Sequence, residues 1–187
     1  MFGGTFDPPH NGHLIIAGRA VRQLKLDKVI FVPAYIPPHK TRGTSASPTQ
    51  RYTMMRMVIR TKRKFAVASV EIKRKGVSYT IDTLRDFRKR YRRARLFLIV
   101  GGDNYRQFRK WKSASEILKL ATLVVYDRLG SRGKRSLRNR KRVVWLKGVK
   151  LDLSSTMIRN RVKRGEPIRS FVPRSVEQFI RRHRLYQ

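Results

Sequence analysis

Gly3-Gly4-Thr5-Phe6-Asp7-Pro8-Pro9-His10-Asn11-Gly12-His13-Leu14 stands almost at the start of the chain and decides how the rest is read. The glycines let main chain approach a ligand closely, and Pro8-Pro9 stiffens the turn. Leu14, Ala17, Val21 and Leu24 then recur at helical spacing. The stretch reads as a glycine-rich turn running into a helix. A helix start offers unpaired N–H groups and the positive end of the dipole, a seat for phosphate. His10 and His13, close to that start, add donors aimed at the same place. One histidine there would read as a cap or a core filler. Two, with an aromatic and the glycines in one short stretch, point to anion binding.

Outward from this stretch, β-branched runs alternate with helical patterns. Residues 29–34, 65–70, 96–100 and 123–126 read as buried strands, and 142–146 as a shorter one. Ser47-Pro48 reads as the cap and first residue of a helix through about Ile59. Ser113-Ala114-Ser115-Glu116 is a capping-box pattern ahead of Ile117-Leu118. Ser154 or Ser155 caps a helix to Arg164, with Gly165 as its stop. Pro173 opens a last helix carrying Val176, Phe179 and Ile180. The alternation predicts an α/β protein, a doubly wound parallel sheet with helices on both faces, as a single domain over residues 1–187. Gly130–Arg135 is the segment expected to be most mobile.

Composition removes other classes. The 187 residues hold 46 Lys+Arg against 11 Asp+Glu, a net charge of +35, and no Cys. Lack of cysteine excludes a disulfide scaffold, a thiolate zinc site and a Cys nucleophile, and fits a reducing, cytoplasmic setting. At 40% hydrophobic the chain is not a disordered tail. No apolar run reaches the ~20 residues of a membrane helix, and Met1-Phe2-Gly3-Gly4 does not read as a signal peptide. The charge attracts polyanions. Basic residues run from Arg19 to Arg184, dense at Lys62-Arg63-Lys64, Arg88–Arg95 and Arg132–Arg142. This spread favours a chain-wide bias over a dedicated nucleic-acid groove, which concentrates charge on one face. Nonspecific nucleic-acid binding and ATP affinity should both weaken as salt rises.

Gly4 to His13 resembles the signature of the nucleotidyltransferases with an (H/T)xGH motif, and Ser154-Ser155-Thr156-Met157-Ile158-Arg159 resembles their C-terminal signature. Val32 to Lys40, Ser78 to Leu84, Gly101-Gly102-Asp103 and Trp111 resemble the bacterial nicotinate-nucleotide adenylyltransferases, as does the tail from Val172 to Tyr186. The resemblance implies a Rossmann-like fold. It also implies transfer of AMP from ATP to nicotinate mononucleotide, giving deamido-NAD and pyrophosphate on the route to NAD. By this resemblance His10, His13 and Arg159 are catalytic, the histidines holding ATP phosphates. Ser155, Thr156 and Arg159 grip the β- and γ-phosphates. Gly3, Gly4, Thr5, Phe6 and Gly101 line the ATP site, Lys40 adds a phosphate contact, and Asp103 bonds the ribose. The pyridine stacks on Trp111. Its carboxylate is held by Thr80 and main-chain amides, with Tyr79 and Lys112 alongside. Mg2+ is implied on the triphosphate, with no protein metal ligands.

Alternatives stay open. Trp111 equally reads as a core or surface anchor, and Tyr79-Thr80 as a helix cap. Lys112 stands where the family often carries Tyr. The family's chains begin with several apolar residues ahead of Phe-Gly-Gly, so a start at Met1-Phe2 predicts a short central strand. Rival functions are a member of the same group acting on phosphopantetheine, glycerol phosphate or FMN, and a basic nucleic-acid-binding protein. The Pro-Pro-His-Lys and Ser-Tyr-Thr segments favour the nicotinate acceptor. Oligomeric state is not legible. No nucleophilic triad is visible, so catalysis is expected to rest on positioning and charge neutralisation.

Overall fold

The computed structural model describes residues 1–38, 44–126, 142–148 and 152–187. Strands are β1 (Phe2–Gly4), β2 (Val29–Pro33), β3 (Phe65–Val67), β4 (Leu96–Gly101), β5 (Ala121–Tyr126) and β6 (Val143–Trp145). Helices are α1 (Asn11–Leu24), α2 (Pro48–Ile59), α3 (Val70–Arg74), α4 (Thr80–Arg90), α5 (Gly102–Arg106), α6 (Ala114–Leu120), α7 (Ser155–Lys163) and α8 (Arg174–Arg182). The strands pair in parallel in the order β3-β2-β1-β4-β5-β6. Strand order reverses direction between β1 and β4, and in such sheets ligands bind outside the carboxyl ends at that point. This is the doubly wound, Rossmann-like sheet.

Both faces are covered, which is why the strands read as continuous apolar runs. Leu123 and Val125 enter one core with Ile81 and Leu84 of α4 and Ile117 of α6. Val124 and Tyr126 enter the other with Ile16 of α1, Met54 of α2, Ile158 of α7 and Val176 of α8. The central strand is short: β1 meets β2 from Phe2↔Phe31 to Gly4↔Pro33, but its ladder with β4 is Phe2↔Ile99 alone. No helix among the described residues is long and apolar enough to cross a membrane.

Several local signals act as read. Ser47 Oγ accepts from Gln50 N–H at 3.2 Å while Gln50 Oε1 accepts from Ser47 N–H at 2.8 Å, a full capping box. Ser154 Oγ accepts from Met157 N–H at 3.1 Å. Others do not. The strand expected over 65–70 ends at Val67, and the chain enters α3 at Val70. The box at Ser113 does not form: Ser113 has φ 53° and makes no side-chain cap. Glu116 is instead held by Arg85 of α4 through two hydrogen bonds, 2.8 and 2.6 Å, so a tertiary ion pair displaces the local cap. Pro173 is the capping residue of α8 rather than its first helical residue. Gly130–Arg135 lies outside the described residues.

Candidate active site

Between β1 and α1 the chain is held from several directions. Phe6 has φ 52°, a left-handed conformation that a side chain adopts at a cost of order 1–3 kcal/mol. Its ring packs edge-on to Phe2, Phe31 and His13, at 5.7, 5.8 and 4.8 Å between centroids. A Cβ on Gly4 would sit 3.0 Å from that ring, so glycine lets the phenylalanine fold back over the strand end.

Asp7 is buried and accepts from Ser45 N–H (3.0 Å), Ala46 N–H (3.1 Å) and the Tyr186 hydroxyl (2.8 Å). Burial, and then the neighbouring Asp7 charge, push the Tyr186 phenol far above its ordinary range. Arg51 of α2 is 0% exposed. It donates to the carbonyls of Ala46 (3.2 Å), Thr5 (2.7 Å) and Tyr35 (3.1 Å). Burial pulls its pKa down, while Asp7 opposes that shift. Sequence reasoning missed both Arg51 and Tyr186. The signal for Arg51 was present: it falls in line with Met54, Met55 and Val58 on the apolar face of α2.

The two histidines form a stacked pair, with ring centroids 3.6 Å apart and planes at 25°. His13 Nδ1 accepts from His10 N–H at 3.1 Å, which leaves the proton of a neutral imidazole on Nε2. A Cβ on Gly12 would lie 3.0 Å from His10 Nδ1, so glycine allows the buried His10 ring its place. The start of α1 is anchored by Asn11, whose N–H donates to Phe171 O (2.9 Å) and whose Nδ2 donates to Ser170 O (3.2 Å).

The second signature comes to the same place. Ser155 Oγ donates to Pro8 O at 2.9 Å and Arg159 Nη1 to Asp7 O at 2.8 Å. Arg159 Nη2 reaches Thr156 Oγ1 at 3.2 Å. The N-terminus of α7 is thus fastened to the loop that leads into α1, and two positive helix ends share one corner of the molecule.

Beside this corner, at the switch point, lies a cavity of about 340 Å³. Gly3, Gly4, Thr5 and Gly101 line it, as do Tyr79, Thr80, Trp111 and Lys112. The Lys112 ammonium lies 4.4 Å from the Tyr79 ring centre and 4.0 Å from Asp82 Oδ2. Trp111 packs against Phe108 at 5.5 Å, and its buried Nε1 has no hydrogen-bond partner. Buried Glu71, also on the wall, accepts from Thr83 Oγ1 at 2.6 Å, and burial raises its carboxyl pKa. Sequence reasoning missed Glu71. Asp103 is not on the wall. Its side chain is 69% exposed and ion-paired with Arg106, whereas neighbouring Asn104 does line the cavity. His10, His13, Ser155, Thr156 and Arg159 also stand off the wall, around the loop at its edge. Lys40 falls outside the described residues.

A sheet of this order, with a glycine turn and two helix ends at its switch point, is the frame of a nucleotidyltransferase. A family model described as cytidylyltransferase-like matches residues 1–161. The probable nicotinate-nucleotide adenylyltransferase of Shouchella clausii (strain KSM-K16) is 41% identical over 186 residues, covering 100% of this chain and 95% of its own. That of Clostridium tetani (strain Massachusetts / E88) is 39% identical over 195 residues, covering 100% and 98%. The chain belongs to the nicotinate-nucleotide adenylyltransferase family. Its fold matches the Plasmodium falciparum nicotinic acid mononucleotide adenylyltransferase complexed with NaAD, with a TM-score of 0.84 at 16% identity over 99% of this chain and 95% of that one.

Proposed function

We propose that this chain transfers the adenylyl group of ATP to nicotinate mononucleotide, forming the deamido dinucleotide and pyrophosphate. The observation that carries the proposal is the closure of α7 onto the Asp7-Pro8 loop. The two signatures meet there beside a cavity of about 340 Å³, which supports reading both as phosphate ligands.

The acceptor brings its own nucleophile. Its phosphate oxygen attacks the α-phosphorus of ATP, a new P–O bond forms, and the bond to the β-phosphate oxygen breaks, releasing pyrophosphate. The protein's task is alignment and neutralisation of accumulating negative charge. His13, whose Nδ1 accepts from His10 N–H, is the imidazole assigned to the phosphates. His10 supports it by stacking. Arg159 has five donors and uses two on Asp7 and Thr156, so the rest of the fork serves the leaving phosphates with the Thr156 hydroxyl and the main-chain N–H of Ser155, whose own hydroxyl is spent on Pro8 O. Gly3, Gly4, Thr5, Phe6 and Gly101 shape the ATP side, Lys40 adds a cation, and Asp103 offers its second oxygen to the ribose. Trp111 presents a face to the pyridine, and Thr80 with Tyr79 and Lys112 meets its carboxylate. Among the described residues no three His, Asp or Glu side chains cluster to hold a metal ion. Mg2+ would ride on the ATP phosphates, where it would supply charge neutralisation.

An acceptor panel tests the proposal. Pyrophosphate release is measured with ATP, Mg2+ and, in turn, nicotinate mononucleotide, nicotinamide mononucleotide, phosphopantetheine, glycerol phosphate and FMN. Nicotinate mononucleotide should give the highest kcat/KM. Faster turnover of another acceptor overturns the substrate assignment.

A further inference from the structure

The opposite end of the sheet carries a second hollow, of about 240 Å³, with a different chemistry. It opens where strands begin: beside Leu96, the first residue of β4, Thr122 near the start of β5, and Arg142, just ahead of β6. Arg88, Arg95, Lys119 and Arg142 line it, and among the described residues none of the lining is acidic. Elsewhere arginines find carboxylate partners, as Arg74 does with Asp86, Arg85 with Glu116 and Arg161 with Glu166. With 46 basic and 11 acidic residues, carboxylates cannot neutralise every cluster.

Part of the hollow is fixed in advance. Arg88 Nη1 donates to the carbonyls of Arg92 (3.1 Å) and Ala94 (2.9 Å), and Nη2 to Leu120 O (3.2 Å). Those bonds hold one guanidinium at the hollow without using an acid. The Arg95 guanidinium lies 5.5 Å from the Phe97 ring centre, which restrains a second. Thr122 adds a hydroxyl. Like charges gathered round a concavity repel one another, and an anion placed among them removes that cost. Planar guanidinium forks suit phosphate oxygens in particular.

We propose that this hollow is a binding site for an oligophosphate chain, separate from the nucleotidyl-transfer site. The phosphates come either from free oligophosphate or from the backbone of single-stranded RNA, which present the same chemistry. The transfer site and this one lie at opposite strand ends, so occupancy here need not change turnover.

The test compares two triple variants by titration calorimetry with inorganic tripolyphosphate at physiological salt. The first is Arg95→Ser, Lys119→Ser, Arg142→Ser, leaving Arg88 in place because it ties three carbonyls. The second, Lys62→Ser, Arg63→Ser, Lys64→Ser, removes the same charge from an exposed basic run elsewhere. Phosphate binding at the transfer site is common to both proteins and cancels. Loss of three phosphate contacts should weaken tripolyphosphate by about tenfold or more in the first variant, against about twofold or less in the second. Adenylyl transfer should continue in both. A single-stranded RNA oligonucleotide is then added as competitor. Parallel loss of RNA affinity in the first variant assigns the phosphates to RNA, and retained RNA affinity assigns them to free oligophosphate. Equal losses in the two variants, or none in the first, overturn the site and leave only diffuse attraction.

Discussion

Arg159 Nη1 donates to the main-chain oxygen of Asp7 at 2.8 Å, joining residues 152 positions apart. This bond fixes one member of the C-terminal signature against the N-terminal one, so the guanidinium has a structural task as well as its proposed chemical one. Arg159→Lys keeps the charge but loses the planar fork. It should lower kcat/KM by about 10²–10³-fold, the cost typical of removing one transition-state donor. Thermal stability should change little, since Ser155 still reaches Pro8. Pyrophosphate release and a melting curve on the same preparation separate the two effects.

His13→Ala removes the imidazole whose Nδ1 is already engaged by His10 N–H. If its Nε2–H acts mainly in the transition state, kcat falls while ATP affinity is largely kept. Equilibrium binding of ATP, measured beside steady-state rates, reads the split. An equal fall in both would make His13 a ground-state ligand.

Tyr186→Phe deletes the hydroxyl that Asp7 accepts at 2.8 Å. The variant should lose about 1–2 kcal/mol in denaturant unfolding, since Asp7 keeps its two main-chain donors. The pH dependence has a definite sign. The folded phenol holds its proton well above the ordinary value of 10.0. Above that pH the unfolded chain releases a proton that the folded chain retains, so stability falls as pH rises. Tyr186→Phe should flatten that alkaline decline, which unfolding curves at pH 9 to 11 would show.

The Lys112 ammonium faces the Tyr79 ring and Asp82. Its main-chain amide, not its charge, is the group expected to meet the acceptor carboxylate. Lys112→Tyr should therefore leave the ratio of kcat/KM for acid and amide mononucleotides within about twofold, well under the ~10-fold that each 1.4 kcal/mol of discrimination gives. Collapse of that ratio would transfer the selectivity to the side chain.

Much of the site was legible because its signals are local. Glycines, histidines at a helix start and Ser154 as a cap act within a few residues of themselves, and neighbouring chemistry is enough to read them. Where a local rule met a distant partner, the partner won. Glu116 serves Arg85, 31 positions away, rather than the Ser113 cap. Arg51, Glu71 and Tyr186 carried no local mark of their roles, because those roles are hydrogen bonds to groups remote in sequence.

By itself the amino-acid order determined the alternation of strand and helix, the apolar faces, and the glycine-rich turn and capped helix start that make up the two signatures. Periodicity and turn chemistry are properties of short stretches, and they survive any rearrangement of the whole. Only the tertiary structure decided the strand order, the meeting of α7 with the Asp7-Pro8 loop, the burial of a charged Arg51 beside Asp7, and the gathering of four cations at the far end of the sheet. Those depend on which surfaces pack together, and the burial that drives packing is set by the whole chain at once.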